Sequence, residues 1–211
     1  MSIDWNVVTS ALHDSRDGHS LKALAILSGL MSEAESDIDR AAILLGESSC
    51  HAQLGNIAKS RELLESARTY SQGNRVALSQ VSLAEASIDA QCKDYKLACE
   101  KFASVKSEYQ DLLVQTEHDD FSVELDSRYA CAHVDAGEFS AAVPLFRKLF
   151  ERDELEDRQR LQVYFSLALW RLGHGGEAKS LLFEAAKGQD TALSQTALEY
   201  LAEIDGPSSR Q

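Results

Sequence analysis

The sequence predicts an all-α chain in which five successive helical hairpins wind into an α-solenoid closed by a single C-terminal capping helix. Three observations carry this. A set of small, turn and bulky residues recurs five times at fixed offsets. Only two prolines occur in 211 residues, and one of them, Pro207, lies in a polar tail, so little interrupts helix from end to end. No segment alternates apolar and polar residues for more than a few positions, and Val and Ile are sparse beside Ala, Leu, Glu and Ser. An apolar content of 44% suits a folded domain and not a disordered chain.

In each copy a small residue is followed seven positions later by a turn residue and five later by a second small residue. A bulky apolar residue comes four positions after that, and another apolar one three further on. Two antiparallel helices joined by a short turn approach closely only where side chains are small, so the small residues mark the crossing and the bulky ones fill the space beyond it. Glycine at the junction suits a left-handed helix end.

The first pair covers about 4–16 and 19–31, with Ala11 crossing Ala23, Gly18 at the turn, and Leu27 and Leu30 beyond. The second, about 37–54 and 57–72, uses Ser48, Gly55, Ser60, Leu64 and Ala67. Gly73 then ends a helix and Asn74 caps the next. The third pair, about 75–91 and 95–117, uses Ala86, Lys93, Ala98, Phe102 and Val105. The fourth, about 121–136 and 139–152, uses Ala130, Gly137, Ala142, Phe146 and Leu149; Pro144 is tolerated there if the helix starts near Ser140. The fifth, about 157–172 and 175–187, uses Ser166, Gly173, Ala178, Leu182 and Ala185. Gly188 and Asp190 separate it from a lone helix at about 190–204. Leu193, Ala197, Leu198, Leu201 and Ile204 form one stripe of that helix, as a cap over a terminal stacking face requires.

These columns resemble the tetratricopeptide (TPR) family, whose unit of about 34 residues places small, Gly, aromatic, small, aromatic and Ala residues at such offsets. The third and fourth copies match best, in Asp94-Tyr95-x-x-Ala98-x-x-x-Phe102 and Gly137-Glu138-Phe139-x-x-Ala142-x-x-x-Phe146. The resemblance implies a right-handed α-solenoid and one domain over 1–205 with a flexible tail at 206–211. It departs from the family where Asp14 and Asp89 replace a large apolar residue near the end of the first helix, and in lacking the proline that closes a repeat.

The resemblance also implies where a partner would sit, because the inward face of each first helix lines the family's groove. That face carries Trp5, Val8 and Leu12; Leu45, Ser49 and Gln53; Leu83, Ser87 and Gln91; Ser127, Cys131 and Asp135; and Arg160, Val163, Leu167, Trp170 and Arg171. Trp170 and Arg171 lead on type, since Trp and Arg dominate binding energy at interfaces. The Lys and Asn of a carboxylate clamp are missing, with Val8, Leu12, Leu45 and Ser49 in their places. A second candidate is the acidic segment 108–126, whose Glu108, Asp111, Glu117, Asp119, Asp120, Glu124 and Asp126 come without a Lys or Arg; it reads as a solvated bend or as a docking site for a basic segment.

A net charge of −13 argues against nucleic acid and for a neutral or basic protein partner. No Gly-rich phosphate loop, His-Glu-x-x-His or Gly-x-Ser-x-Gly is present, so the reading is no enzyme and no cofactor. Cys50-His51 and Cys131-Ala-His133 lie two repeats apart, so no metal site is expected, and the four cysteines read as small buried hydrophobes. With no leader or membrane-span pattern, a cytoplasmic setting is expected. The function implied is protein interaction: an adaptor, scaffold or chaperone subunit, with a peptide-responsive sensor or a self-assembling subunit as alternatives.

Overall fold

The computed structural model describes residues 3–16, 18–110, 119–152, 155 and 157–206. Eleven helices run through them: α1 (Trp5–Arg16), α2 (Ser20–Met31), α3 (Asp37–Gln53), α4 (Ile57–Tyr70), α5 (Arg75–Gln91), α6 (Tyr95–Glu108), α7 (Asp119–Asp135), α8 (Phe139–Phe150), α9 (Arg158–Arg171), α10 (Gly175–Ala185) and α11 (Thr191–Asp205). Among the described residues there is no strand, and no helix is long and apolar enough to cross a membrane. One bound differs clearly from expectation. The second helix of the third hairpin, expected to reach 117, ends at Glu108, and 111–118 fall outside the described residues, as does the tail from 207.

In all five hairpins the turn between the two helices takes one conformation. Gly18, Gly55, Gly137 and Gly173 have φ of 86°, 78°, 77° and 85°, and Lys93 takes the same left-handed state at 64°. Each closes its helix with two hydrogen bonds. The turn residue's N–H reaches back three residues (Gly137 to Val134 O, 2.9 Å) and the next N–H reaches back five (Glu138 to His133 O, 2.8 Å). The same pair recurs at Ser15/Asp14, Ala52/His51, Ala90/Asp89 and Trp170/Leu169, giving five Schellman ends that satisfy otherwise orphaned carbonyls.

The crossing columns are sealed. Ala11, Ala23, Ala86, Ala98, Ala130, Ala142, Ala178, Ser60 and Ser166 are 0% exposed and Ser48 is 1%. Serine fits there because its hydroxyl finds a partner: Ser48 Oγ donates to Ser60 O at 3.0 Å, Ser60 Oγ donates to Ser48 O at 2.8 Å, and Ser166 Oγ donates to Val163 O at 2.7 Å. Leu27, Leu64, Phe102, Phe146 and Leu182 behind them are all buried.

The two aspartates that break the family pattern keep the register. Asp89, 1% exposed, lies between Arg61 of α4 at 2.7 Å and Lys101 of α6 at 2.5 Å, while Asp14 pairs with Lys22 at 2.9 Å. A buried carboxylate is tolerated because two cations compensate it. Pro144 sits past the first turn of α8, which starts at Phe139 as expected, and its missing N–H leaves the Ser140 carbonyl without its helical donor.

The chain divides into two compact units, Met1–Gln115 and Thr116–Gln211. In the first, α1–α2, α3–α4 and α5–α6 are the hairpins, and the first helices also touch one another, α1 on α3 and α3 on α5. In the second, α7–α8 and α9–α10 are the hairpins, α7 touches α9, and α11 lies on α9 and α10. The apolar core of this unit runs through Ala130, Phe146, Leu149, Phe165, Leu182 and Leu201, with Phe146 and Phe165 stacked at 5.2 Å.

Candidate functional site

The contact of α3 with α5 leaves a pocket of about 230 Å³ in the first unit. Ile38, Ala41, Ala42 and Leu45 come from the first three turns of α3, and Val76, Ala77 and Gln80 from the start of α5, with its cap Asn74. The opening exists because Ala41, Ala42 and Ala77 stand where larger side chains would close it. Its lining has no charged group. Asn74 is committed, since its side chain accepts from Ala77 N at 3.0 Å to cap α5. Ile38 and Val76 hold the same offset in their hairpins and remain 41% and 38% exposed. Such a surface suits one or two apolar side chains of a partner, with Gln80 as the polar contact that orients them.

The implied groove residues are divided by the structure. Leu45 lines this pocket, and Ser49, one turn on, is exposed. Leu12 is half-buried against Gly46, where a Cβ would lie 3.1 Å from its Cδ2, so it packs hairpin to hairpin. Ser87 donates to Leu83 O at 2.8 Å. Gln53 is engaged inside the unit, its Oε1 accepting from Ser15 and Ser20 at 2.7 Å each. The side chain of Trp5 lies outside what is described.

Four of these positions need correction. Leu83 (4% exposed), Val8 (2%), Ser127 (7%) and Val163 (5%) are buried and offer a partner almost nothing.

In the second unit Cys131, Asp135 and Arg160 do come together. Enclosure of the sulfur pushes the Cys131 thiol up to about 12, opposed by Arg160 and reinforced by Asp135 and Asp157. Loss of solvation also raises the Asp135 carboxyl. Arg160 is exposed and pairs with Asp157 at 3.1 Å. Leu167 is half-buried against the core. Trp170 lies against Tyr200 of α11 with centroids 6.4 Å apart, so packing claims much of it, and the exposed Arg171 guanidinium sits 5.1 Å over its ring.

The acidic segment is also divided. Asp111 and Glu117 lie outside the described residues, and Asp119 and Asp120 are described only as the start of α7. Glu108 is exposed at the end of α6, and Glu124 pairs with Arg128 at 2.6 Å. Asp126 is withdrawn from any docking set: it is 3% exposed and held by Lys148 at 3.0 Å. Cys92 is another correction, being exposed where a buried thiol is expected.

Sequence reasoning missed Ile38, Ala41, Ala42, Val76, Ala77 and Gln80. The available signal was an aliphatic residue ten positions before the first small column in both hairpins, next to alanines, on the opening turn of a helix.

No protein-family model and no curated protein matches the sequence. Solved structures do. One crystal form of MamA AMB-1 aligns at 15% identity and a TM-score of 0.53 over 90% of this chain and 98% of that one. A second form aligns at 14% and 0.50 over 85% and 95%, and a MamA mutant at 15% and 0.51 over 90% and 96%. At that identity the agreement is one of architecture, and with the five hairpin ends and sealed crossings it shows a TPR-like helical-repeat fold.

Proposed function

We propose that this chain is a non-enzymatic protein-interaction module, an adaptor, scaffold or chaperone subunit, that holds an uncharged or basic polypeptide on the first-helix face of its hairpins. The α3–α5 groove carries the reading. Two aliphatic side chains in matching register, about two-fifths exposed, stand beside an uncharged pocket of about 230 Å³, and covering what remains open of each with a partner is worth about 1 kcal/mol. The net charge of −13 disfavours acidic partners at every stage of approach.

Selection of binders from a displayed peptide library, followed by titration calorimetry, tests this. Ala42→Arg places a long cation in the pocket without touching the sealed crossings, so it removes binding and leaves the melting temperature unchanged. Peptides that bind Ala42→Arg as tightly as the parent would place the site elsewhere. Self-association is a second reading, favoured by Leu21 at 72% and Val7 at 37% exposure on the first hairpin, and light scattering across a concentration series decides it.

A further inference from the structure

The side chain of Gln159, in the first turn of α9, joins three elements of the second unit. Its Nε2 donates to Ala185 O at 2.9 Å, at the end of α10, and to Asp190 O at 3.0 Å; it also lies 3.1 Å from Ser194 Oγ in the first turn of α11. Its Oε1 accepts from Asp190 N at 3.0 Å. Asp190 is itself the cap of α11, its Oδ1 accepting from Ala192 N and Leu193 N at 2.9 and 3.1 Å. A primary amide presents two N–H donors and a separate carbonyl acceptor at one tip, as these contacts require, and Asn is one methylene too short to take this place unchanged. The loop is fitted to it: a Cβ on Gly188 would overlap the Gln159 amide, although the Gly188 backbone is not in the left-handed region that calls for glycine.

Beyond this amide, α11 is held by a narrow apolar stripe, Ala197, Leu201 and Ile204, by Tyr200 against Trp170, and by a Lys179–Asp205 ion pair. Its remaining surface is mostly exposed. We propose that Gln159 is a latch: it fixes the loop and the cap of α11, and with it released α11 lifts from hairpin α9–α10 as a unit while the hairpins stay folded. The lone helix is then a strap whose docking sets access to the end face of that hairpin, including the Trp170 ring.

Amide hydrogen exchange on the full chain tests the latch. Gln159→Ala raises exchange across 191–205 about tenfold or more and leaves α8 at parental protection. Gly188→Ala, which drives the amide out by overlap, does the same alone and adds nothing in the Gln159→Ala background, because the clashing partner is gone. Unchanged α11 exchange overturns the proposal. So does exchange that rises equally in α8, which marks Gln159 as a general structural residue, or a Gly188→Ala effect of equal size in both backgrounds.

Discussion

Lys93 is an L-residue doing a glycine's work, and its replacement tests the reading of all five turns. Its φ of 64° lies in the region that the other four hairpin ends fill with glycine at 77–86°. The hydrogen bonds are equivalent, Lys93 N to Ala90 O at 2.9 Å and Asp94 N to Asp89 O at 3.0 Å, so a substitution alters conformational energy and not bonding. Holding an L-residue left-handed costs about 1–2 kcal/mol. Glycine returns about 0.5–1 kcal/mol of that through the extra freedom it loses on folding. Lys93→Gly therefore stabilises by about 1 kcal/mol, which for a chain of this length raises the melting temperature by about 2–4 °C. In urea the midpoint moves up by about 0.5 M with the slope unchanged. Lys93→Ala removes the same exposed side chain but keeps the Cβ, and gains nothing. Gly137→Lys runs the exchange backwards and loses about 1 kcal/mol. If Lys93→Gly is neutral and Gly137→Lys is harmless, backbone strain at the turns is not what places glycine in this column.

Ala98→Leu or Ala142→Leu overfills a crossing that is 0% exposed and costs about 1–3 kcal/mol by denaturant titration. Replacing both Arg61 and Lys101 by Met strands the Asp89 carboxylate, 1% exposed, and costs more than Asp89→Asn, which frees two cations that already touch water; equal losses would mean the pairs are not compensating a buried charge. The Asp135 carboxyl is raised in the folded state, so its ionised form opposes folding. That penalty is present above its folded pKa and absent once pH falls below the ordinary carboxylate value of about 4. Asp135→Asn therefore raises the melting temperature at neutral pH and not in acid. Alkylation followed by mass spectrometry modifies exposed Cys92 first, while Cys131, held near 12, and the buried Cys50 react only on unfolding.

Most of the fold was legible because its determinants are local. A left-handed helix end asks for glycine within one residue, and a close crossing asks for a small side chain at one position of each helix, so Gly18, Gly55, Gly137 and Gly173 and the ten crossing residues could be read from spacing. The helix caps Asn74 and Asp190 were legible for the same reason, since a cap acts on N–H groups two or three residues on. Even the misfit Asp89 stands where the columns put it.

The candidate site was far less legible. Leu45 and Leu83 share a column, yet one lines the pocket and the other is 4% exposed. Asp126 reads as an acidic surface until Lys148, 22 positions away, arrives beside it. Gln159 is an ordinary first-turn polar residue until positions 26 to 35 residues later fold over its amide. By itself the sequence determined the number of hairpins, their crossings and their turns, because each follows from sterics within about a dozen neighbouring residues. Tertiary structure alone decided which side chains face water, which charges are neutralised and what latches the last helix, because burial and ion pairing depend on which distant helix is packed alongside.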